Sequence, residues 1–271
     1  MAEARSRAAP RADLREVADA QAGMRPSPSP DAPLDTEALK GERVIVHETT
    51  AEGWCRSTLE ADGYVGWLPA GALGPLGPAP THKVAVLRTL VFPGPSIKLP
   101  PREALSLGCR LAVARQEGPF AVTPAGGYVP APHLTQLDLF AADPVAIAEQ
   151  FLHVPYLWGG KTSLGLDCSA LVQIALTACG IRCPRDSHMQ EAVLGTPIAG
   201  IADLKRGDLL FWKGHVAIAR DARTLIHANA FHMAVVIEPI AEALARIAAA
   251  GSGLTSVRRI DARSGILPIV P

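Results

Sequence analysis

The chain has 271 residues, and its 26 lysines and arginines equal its 26 aspartates and glutamates in number. This length accommodates two or three domains. The balanced charge gives no global positive field that would attract nucleic acid or an anionic membrane, so we expect neither as a partner. Apolar residues make up 48% of the chain, which is typical of a globular protein with a sizeable core.

The first thirty residues, Met1 to Pro30, carry scattered charges and no continuous apolar stretch. A secretory signal requires such a stretch, and a helix that crosses a membrane requires about twenty apolar residues. The five cysteines are an odd number and lack the spacing of a disulfide framework. Together these features predict reduced thiols and a cytoplasmic location.

The front half of the chain predicts two small all-β domains, over residues 13–78 and 79–140, joined by a segment rich in Pro and Gly. Short β-type runs alternate with Gly and polar clusters. The clearest of these runs are Arg43 to His47, Gly63 to Pro69, Lys83 to Leu87, Cys109 to Ala114 and Gly126 to Pro130. The tripeptide Gly-Tyr-Val occurs once in each half of this region, which indicates a weak internal repeat.

From Asp143 onward the pattern changes to mixed helix and strand, and we place a third, α+β domain at 143–271. Asp143 and Pro144 form an N-cap and a first-turn proline, which predict a helix to about His153. The run Cys168 to Cys179 is apolar at helical spacing and precedes Gly180, so it predicts a buried helix. Strand-like runs separated by short turns favour an antiparallel sheet. These runs are Asp208 to Trp212, His215 to Ala219, Thr224 to His227 and Ala234 to Ile237.

Cys168 stands at the start of the buried helix, directly after Asp167, a natural N-cap. Unpaired N–H groups at a helix start favour thiolate over thiol and can stabilise an oxyanion. A nucleophilic cysteine also needs a base, and the base needs an orienting group. His215 begins one predicted strand and His227 ends the next, so a hairpin would place their rings side by side. We therefore predict Cys168 as nucleophile, His215 as base and His227 as the orienting residue.

Five blocks in unbroken order resemble the NlpC-type cell-wall peptidases. They are Tyr156 to Gly160, Leu166 to Val172, Gly207 to Phe211, Gly214 to Ile218 and Leu225 to Ala228. The resemblance runs from about Asp143 to the C-terminus and implies a papain-like α+β catalytic domain. It implies the same nucleophile, base and third polar residue, and stem peptides of bacterial peptidoglycan as substrates. Tyr156 and Trp158, in the first block, are expected to line the cleft.

Two bacterial SH3-like domains ahead of such a domain resemble one branch of the family, the γ-D-glutamyl-L-diamino acid endopeptidases of murein recycling. These enzymes cleave the bond between γ-D-glutamate and a diamino acid, and they release L-Ala-D-Glu from peptides with a free amino-terminal L-Ala. Arg185-Asp186-Ser187 resembles their recognition motif, so Asp186 would bind the substrate ammonium. The remaining substrate-binding residues that the resemblance implies are Ser187, Ser169, Tyr64 and Glu42.

Three alternatives remain beside this prediction. A metal site at Cys179, Cys183 and His188 is disfavoured, because Cys-x3-Cys-x4-His lacks the paired knuckles of structural zinc; we expect no metal and no cofactor. A non-catalytic cell-wall binder would not need Cys168 together with two histidines in working order. An amidase or acyl transferase would use the same nucleophile and base, and these residues do not exclude it.

Overall fold

The computed structural model describes residues 13–260. Residues 261–271 of the predicted third domain lie outside this range, as do residues 1–12 of the segment inspected for an export signal. The predicted α+β class is confirmed, since many short antiparallel strands combine with few helices. Within the described range no helix is both long enough and apolar enough to cross a membrane.

The first β unit has a five-stranded antiparallel sheet in the order β6-β5-β4-β1-β7, with the β2–β3 hairpin beside it. Its strands are β1 (Asp13–Val17), β2 (Gln21–Met24), β3 (Thr36–Leu39), β4 (Arg43–Thr49), β5 (Trp54–Leu59), β6 (Val65–Pro69) and β7 (Leu73–Gly74). Val17, Met24, Val44, Leu59 and Leu68 are fully buried in its core. Alternating side chains of these strands thus supply one small core.

The second β unit consists of three small antiparallel sheets, in the orders β10-β9, β11-β8-β15 and β12-β13-β14. Its strands are β8 (His82–Val84), β9 (Arg88–Val91), β10 (Glu103–Ser106), β11 (Arg110–Leu111), β12 (Arg115–Glu117), β13 (Phe120–Val122), β14 (Tyr128–Pro130) and β15 (Leu134–Gln136). The predicted strand Lys83 to Leu87 is shorter than expected. After Val84 the backbone leaves the ladder, because Ala85 N–H bonds the carbonyl of His133 and the carbonyl of Leu87 accepts from Leu107.

The repeated Gly-Tyr-Val marks the same local structure in both β units. In each unit a strand ends at a proline, Pro69 or Pro130, that starts a single 3-10 turn. Each turn ends at a leucine, Leu73 or Leu134, in extended conformation, and that leucine begins the next strand. The weak sequence repeat therefore corresponds to a shared strand–turn–strand segment.

The third unit is built on a six-stranded antiparallel sheet in the order β18-β23-β19-β20-β21-β22. Its helices are α1 (Pro144–Glu149), α2 (Cys168–Ala178), α3 (Ser187–Val193) and α4 (Ile240–Ala249). Its strands are β16 (Lys161–Thr162), β17 (Gly165–Leu166), β18 (Thr196–Pro197), β19 (Leu209–Trp212), β20 (His215–Ala219), β21 (Thr224–Asn229), β22 (Ala234–Pro239) and β23 (Leu254–Arg259). The predicted antiparallel sheet and buried helix are confirmed.

Both faces of this sheet are covered, which explains the continuous apolar runs of its strands. Phe211, Val216 and Ile218 share one core with α1 and α2. Trp212 and Ala217, their neighbours in sequence, point to the other face and share a second core with α4. Helix α2, buried from Cys168 to Leu176, is thus held against the strands that carry the two histidines.

Helix α1 ends at Glu149, four residues before the predicted end near His153. Its start is as expected, because Asp143 accepts a hydrogen bond from Val145 N at 2.9 Å. The prediction of its end was wrong because the chain must turn to meet the sheet: His153 adopts φ 68° and donates its N–H to the carbonyl of Val235. The sequence around His153 does not indicate its hydrogen bond to Val235, which lies 82 residues later in the chain.

The loop and hairpin from Gly159 to Leu166 contact both β units. Lys161 N–H donates to Glu37 of the first unit at 2.7 Å. Arg88 of the second unit donates to the carbonyl of Ser163 at 2.6 Å, and Ser106 accepts from Ser163 N–H at 3.1 Å. This segment, which leads directly into α2, therefore joins all three units at the start of the nucleophile helix.

We expect Gly159→Ala to weaken this junction. Gly159 has φ +73°, and a Cβ there would lie 2.3 Å from the carbonyl oxygen of Leu34 in the first unit. Backbone strain and the clash together should cost roughly 2–5 kcal/mol. The matched control is Gly126→Ala, with φ +74° and open space around the added atom, which should cost about 1–2 kcal/mol. Equal shifts of the urea midpoint in the two variants would contradict a tight junction.

Candidate active site

Cys168 is the first residue of α2, and Asp167 caps the helix by accepting from Ala170 N–H at 2.8 Å. The Cys168 side chain is buried and lies beside the backbone N–H groups of Val216 and Ser169. Burial raises the pKa of the Cys168 thiol to about 12 and outweighs these N–H groups, which lower it. Burial of the thiol therefore opposes the thiolate form that the helix start favours.

The two histidines lie side by side, as the hairpin predicted. His215 Nε2 and His227 Nδ1 are 2.9 Å apart, and β20 pairs with β21 in antiparallel register. Because Val216 follows His215, the thiol of Cys168 reaches the start of the strand that carries this ring. Burial is the main cause that lowers the pKa of both histidines to about 3. The second cause is the neighbouring His227 in the case of His215, and the charge of Arg246 in the case of His227. Both rings are neutral near pH 7.

Two charged residues next to His227 were missed by the sequence analysis, the buried Glu238 and its partner Arg246. His227 Nε2 lies 3.0 Å from Glu238 Oε2, and Arg246 donates to both oxygens of Glu238, at 3.0 and 2.6 Å. A charged residue inside the apolar strand β22 was the available signal. His232 completes a trio with His227 and Glu238 whose ligand atoms lie within 4.8 Å of one another. Arg246 already engages both oxygens of this carboxylate, and its charge repels a cation there.

Arg185 is a buried hub between the first β unit and the nucleophile helix. Its guanidinium donates to both oxygens of Asp167, at 2.9 and 2.7 Å, and to Ser169 Oγ at 2.9 Å. Its Nε donates to Thr36 Oγ1, across the domain junction, at 2.8 Å. Only 1% of the Arg185 side chain is exposed. The first β unit is therefore tied directly to the N-cap that positions Cys168.

Arg185→Met should strongly destabilise the protein. It would leave the Asp167 carboxylate buried without its cation, and removal of one partner from a buried pair costs about 3–5 kcal/mol. Arg206→Met is the control, because Arg206 pairs with Asp143 at a similar 2.7 Å, but their side chains are 41% and 39% exposed. Exposed pairs contribute about 0–1 kcal/mol. If both variants lose a similar free energy of unfolding in denaturant titrations, Arg185 does not have the stabilising role inferred here.

An anionic pocket lies between the first β unit and the start of α3. A cavity of about 380 Å³ is lined by Tyr64 and Asp62 on one side and by Arg185, Asp186 and Met189 on the other. Burial raises the pKa of Asp186, which occupies the N-cap position of α3 without making a cap bond. Burial, followed by the charge of Asp186, also raises the pKa of Asp35 and brings that of Tyr64 to about 12.

Asp35 was not predicted as a site residue, and it lies close enough to Asp186 for that charge to raise its pKa. Glu42 is buried elsewhere, where its carboxylate accepts from Leu39 N–H at 2.8 Å and pairs with Lys161 Nζ at 3.4 Å. These contacts hold Glu42 between β3 and Lys161, and its role as a substrate ligand stays a prediction. The hydroxyl of Ser169 donates to Asp167 at 3.1 Å and accepts from Arg185. These bonds stabilise the helix start, and the contact of Ser169 with substrate stays a prediction.

The remaining predicted residues lie near the site with different exposure. Tyr156 is half-buried, and burial, followed by the charge of Cys168, raises its pKa to about 12, which places its hydroxyl near the thiol. Trp158 is 66% exposed, so nothing in its burial marks it as part of a cleft wall. Ser187 is the partly buried first residue of α3, next to Asp186.

Known proteins resemble this chain in two separate regions. The model of the NlpC/P60 family matches residues 153–248, and the model described as the bacterial dipeptidyl-peptidase SH3 domain matches residues 24–73. All three residues of the predicted catalytic set fall within the first match, and Tyr64 and Asp35 fall within the second.

Curated relatives match part of the chain. Dipeptidyl-peptidase 6 of Lysinibacillus sphaericus is 37% identical over 101 residues, 36% of this chain and 36% of that protein. A γ-D-glutamyl-L-lysine dipeptidyl-peptidase of Bacillus subtilis is 31% identical over 196 residues, 67% of this chain and 65% of that protein. The matched part thus spans less than two thirds of either relative.

A crystal structure of an NlpC/P60 family protein from Bacillus cereus shares the fold. Its TM-score is 0.77 at 21% identity, and the match covers 92% of this chain and 99% of that one. The likeness therefore extends over the β units as well as the domain that carries Cys168. A region similar to the NlpC/P60 family thus follows a region similar to the bacterial dipeptidyl-peptidase SH3 domain in this chain.

Proposed function

We propose that this chain is a cysteine peptidase that acts on peptides derived from bacterial peptidoglycan. The observation that carries the proposal is the buried Cys168 at a capped helix start, beside the hydrogen-bonded His215 and His227. Relatives named as dipeptidyl-peptidases support the reaction class. A nucleophile, a base and an orienting group in this order suit acyl transfer through a thioester.

The finer proposal concerns the bond and the end of the substrate. We infer hydrolysis of the bond between γ-D-glutamate and a diamino acid in peptides with a free amino-terminal L-Ala. The support is the anionic pocket. Burial raises the pKa of both Asp35 and Asp186, and the charge of Asp186 raises that of Asp35 further. The guanidinium of Arg185 directs its hydrogen bonds to Asp167, Ser169, Thr36 and Gly160. An ammonium group would neutralise the two carboxylates, and an N-acyl group would not. Action in cytoplasmic murein recycling stays a prediction from the sequence.

The reaction follows from the neutral Cys–His pair. As the sulfur of Cys168 attacks the γ-carbonyl carbon, its proton passes to His215, and N–H groups at the start of α2 stabilise the oxyanion. The His215 imidazolium then protonates the departing amine of the diamino acid, which leaves a thioester. Water adds to the thioester with His215 as base, and its collapse releases L-Ala-D-Glu and restores the thiol.

A peptide panel tests this function. Purified protein is incubated with L-Ala-γ-D-Glu-meso-diaminopimelate, its L-Lys analogue and the N-acetylated form of each, and the products are identified by mass spectrometry. Release of L-Ala-D-Glu from the free-amine peptides alone supports both the peptidase activity and the requirement for a free amino terminus. Cleavage of the acetylated peptides at equal rates would exclude that requirement. No cleavage of any member would favour an amidase, a transferase or a binding protein.

The acid limb of kcat/KM is expected below pH 6.5, the ordinary pKa of histidine. Burial holds the pKa of His215 far below that value, so the ring keeps its basic, neutral form as the pH falls through 6.5. The profile would be measured from pH 4 to pH 9 with overlapping buffers. An acid limb centred at 6.5 or above would show that His215 titrates as an exposed histidine does.

A further inference from the structure

A carboxylate and a guanidinium continue the line of the two histidines. From the thiol side the order is His215, His227, Glu238 and Arg246, with successive contacts of 2.9, 3.0 and 2.6 Å. His227 is fully buried and Glu238 is 7% exposed, so water competes little for these hydrogen bonds. Beside this line, the charge of His232 also lowers the pKa of His227.

The direction of each hydrogen bond follows from Glu238. A carboxylate that accepts from Arg246 on both oxygens has only lone pairs to offer, so His227 Nε2 must donate to it. A neutral imidazole carries a single N–H, and His227 Nδ1 is therefore an acceptor. Its partner, His215 Nε2, must then carry the hydrogen. This leaves His215 Nδ1 without a proton.

We propose that Glu238 is a positioning residue that fixes the tautomers of both histidines. By accepting from His227 it leaves Nδ1 of His215 as the basic nitrogen, the form required to take the thiol proton of Cys168. This inference rests on the proposed function for its kinetic consequence. A donor in place of the carboxylate would reverse every bond in the line. His215 would then carry its hydrogen on Nδ1 and could not act as a base.

The test begins with the wild-type protein. Its imidazole nitrogens are observed by ¹⁵N NMR after histidine labelling, and both His215 and His227 are expected to carry hydrogen on Nε2 and none on Nδ1. Protonation of His227 at Nδ1 would overturn the proposal whatever the variants do. This measurement needs no substrate, so it stays decisive if every peptide of the panel resists cleavage.

Glu238→Gln replaces the acceptor with a group that can donate to His227. We expect a shift of both rings toward hydrogen on Nδ1, with kcat lowered roughly 10- to 100-fold and KM little changed. This loss is smaller than the about 10⁴-fold effect of neutralising a carboxylate bonded directly to a catalytic histidine, because one ring intervenes. The rate of Cys168 alkylation, followed by peptide mapping, should fall in parallel.

The matched control is Glu242→Gln, which removes the same charge from an exposed position in the first turn of α4. It should leave tautomers, alkylation and kcat at their wild-type values. A Glu238→Gln protein that keeps wild-type tautomers while losing activity would reduce Glu238 to a structural role and overturn the inference. Unchanged kcat in an active enzyme would also overturn it. If the wild-type protein shows the expected tautomers but cleaves none of the peptides, the result would count against the proposed function and leave this inference standing.

Discussion

Cys168→Ala is expected to lower peptide cleavage by about 10⁴-fold or more, because no other group can form the thioester. The substitution removes one buried sulfur atom and leaves the Asp167 cap on Ala170 N–H intact. Folding and substrate binding should therefore change little. The measurement is the initial rate of dipeptide release, with calorimetric binding of the uncleaved peptide to the variant.

Cys179→Ala is the matched control for this experiment. Cys179 caps the other end of the same helix and is partly buried, away from both histidines. Its replacement should leave the rate within about twofold of wild type, as expected for a cysteine that only packs. A Cys168→Ala protein that retains a tenth of the activity, or a Cys179→Ala protein that loses it, would remove Cys168 as nucleophile.

Asp186→Asn and Asp35→Asn should each reduce kcat/KM roughly 10- to 100-fold for peptides with a free amine, since a charge-assisted contact contributes about 1.5–3 kcal/mol. Rates for N-acetylated peptides should change little, so discrimination between the two substrate classes would collapse. The physical cause is the loss of one of two partly buried carboxylates, both with pKa values raised by burial.

Asp31→Asn serves as control, because Asp31 is an exposed acid in the loop that leads to Asp35. It changes the net charge equally and should change neither substrate class. Equal losses on free and acetylated peptides in Asp35→Asn or Asp186→Asn would indicate damage to the fold instead of a lost ammonium contact. Glu42→Gln should not shift discrimination, since its carboxylate faces Leu39 and Lys161.

Much of the nucleophile region could be predicted because its determinants are local. The Asp167 cap, the apolar spacing of α2 and the positive φ of Gly180 act within one or two helical turns. The side-by-side rings of His215 and His227 follow from a hairpin between adjacent strands. The repeat around Tyr64 was also readable, since a proline and a leucine at fixed spacing form the same 3-10 turn twice.

Strand β1, the end of α1 and helix α3 were harder to predict, because the residues that they contact are distant in sequence. β1 (Asp13–Val17) has few apolar residues, and it is a strand because it pairs with β4 and β7. The end of α1 depends on Val235, and α3, which was not predicted, is anchored by Gln190 donating to the carbonyl of Ser169. Local propensity carries no information about these contacts.

The sequence by itself determined the α+β class and the catalytic candidates Cys168, His215 and His227, because short-range caps and periodicity indicate them. The family resemblance followed from its ordered motif blocks. Only the tertiary structure decided which acids come together. It buried Glu42 against Lys161, 119 residues away, and brought Asp35 near Asp186. It also decided charge state, since the pKa of a thiol or an imidazole depends on everything packed around it. The burial of a side chain depends on segments that are distant in sequence, whereas a sequence pattern reflects only residues that are close along the chain.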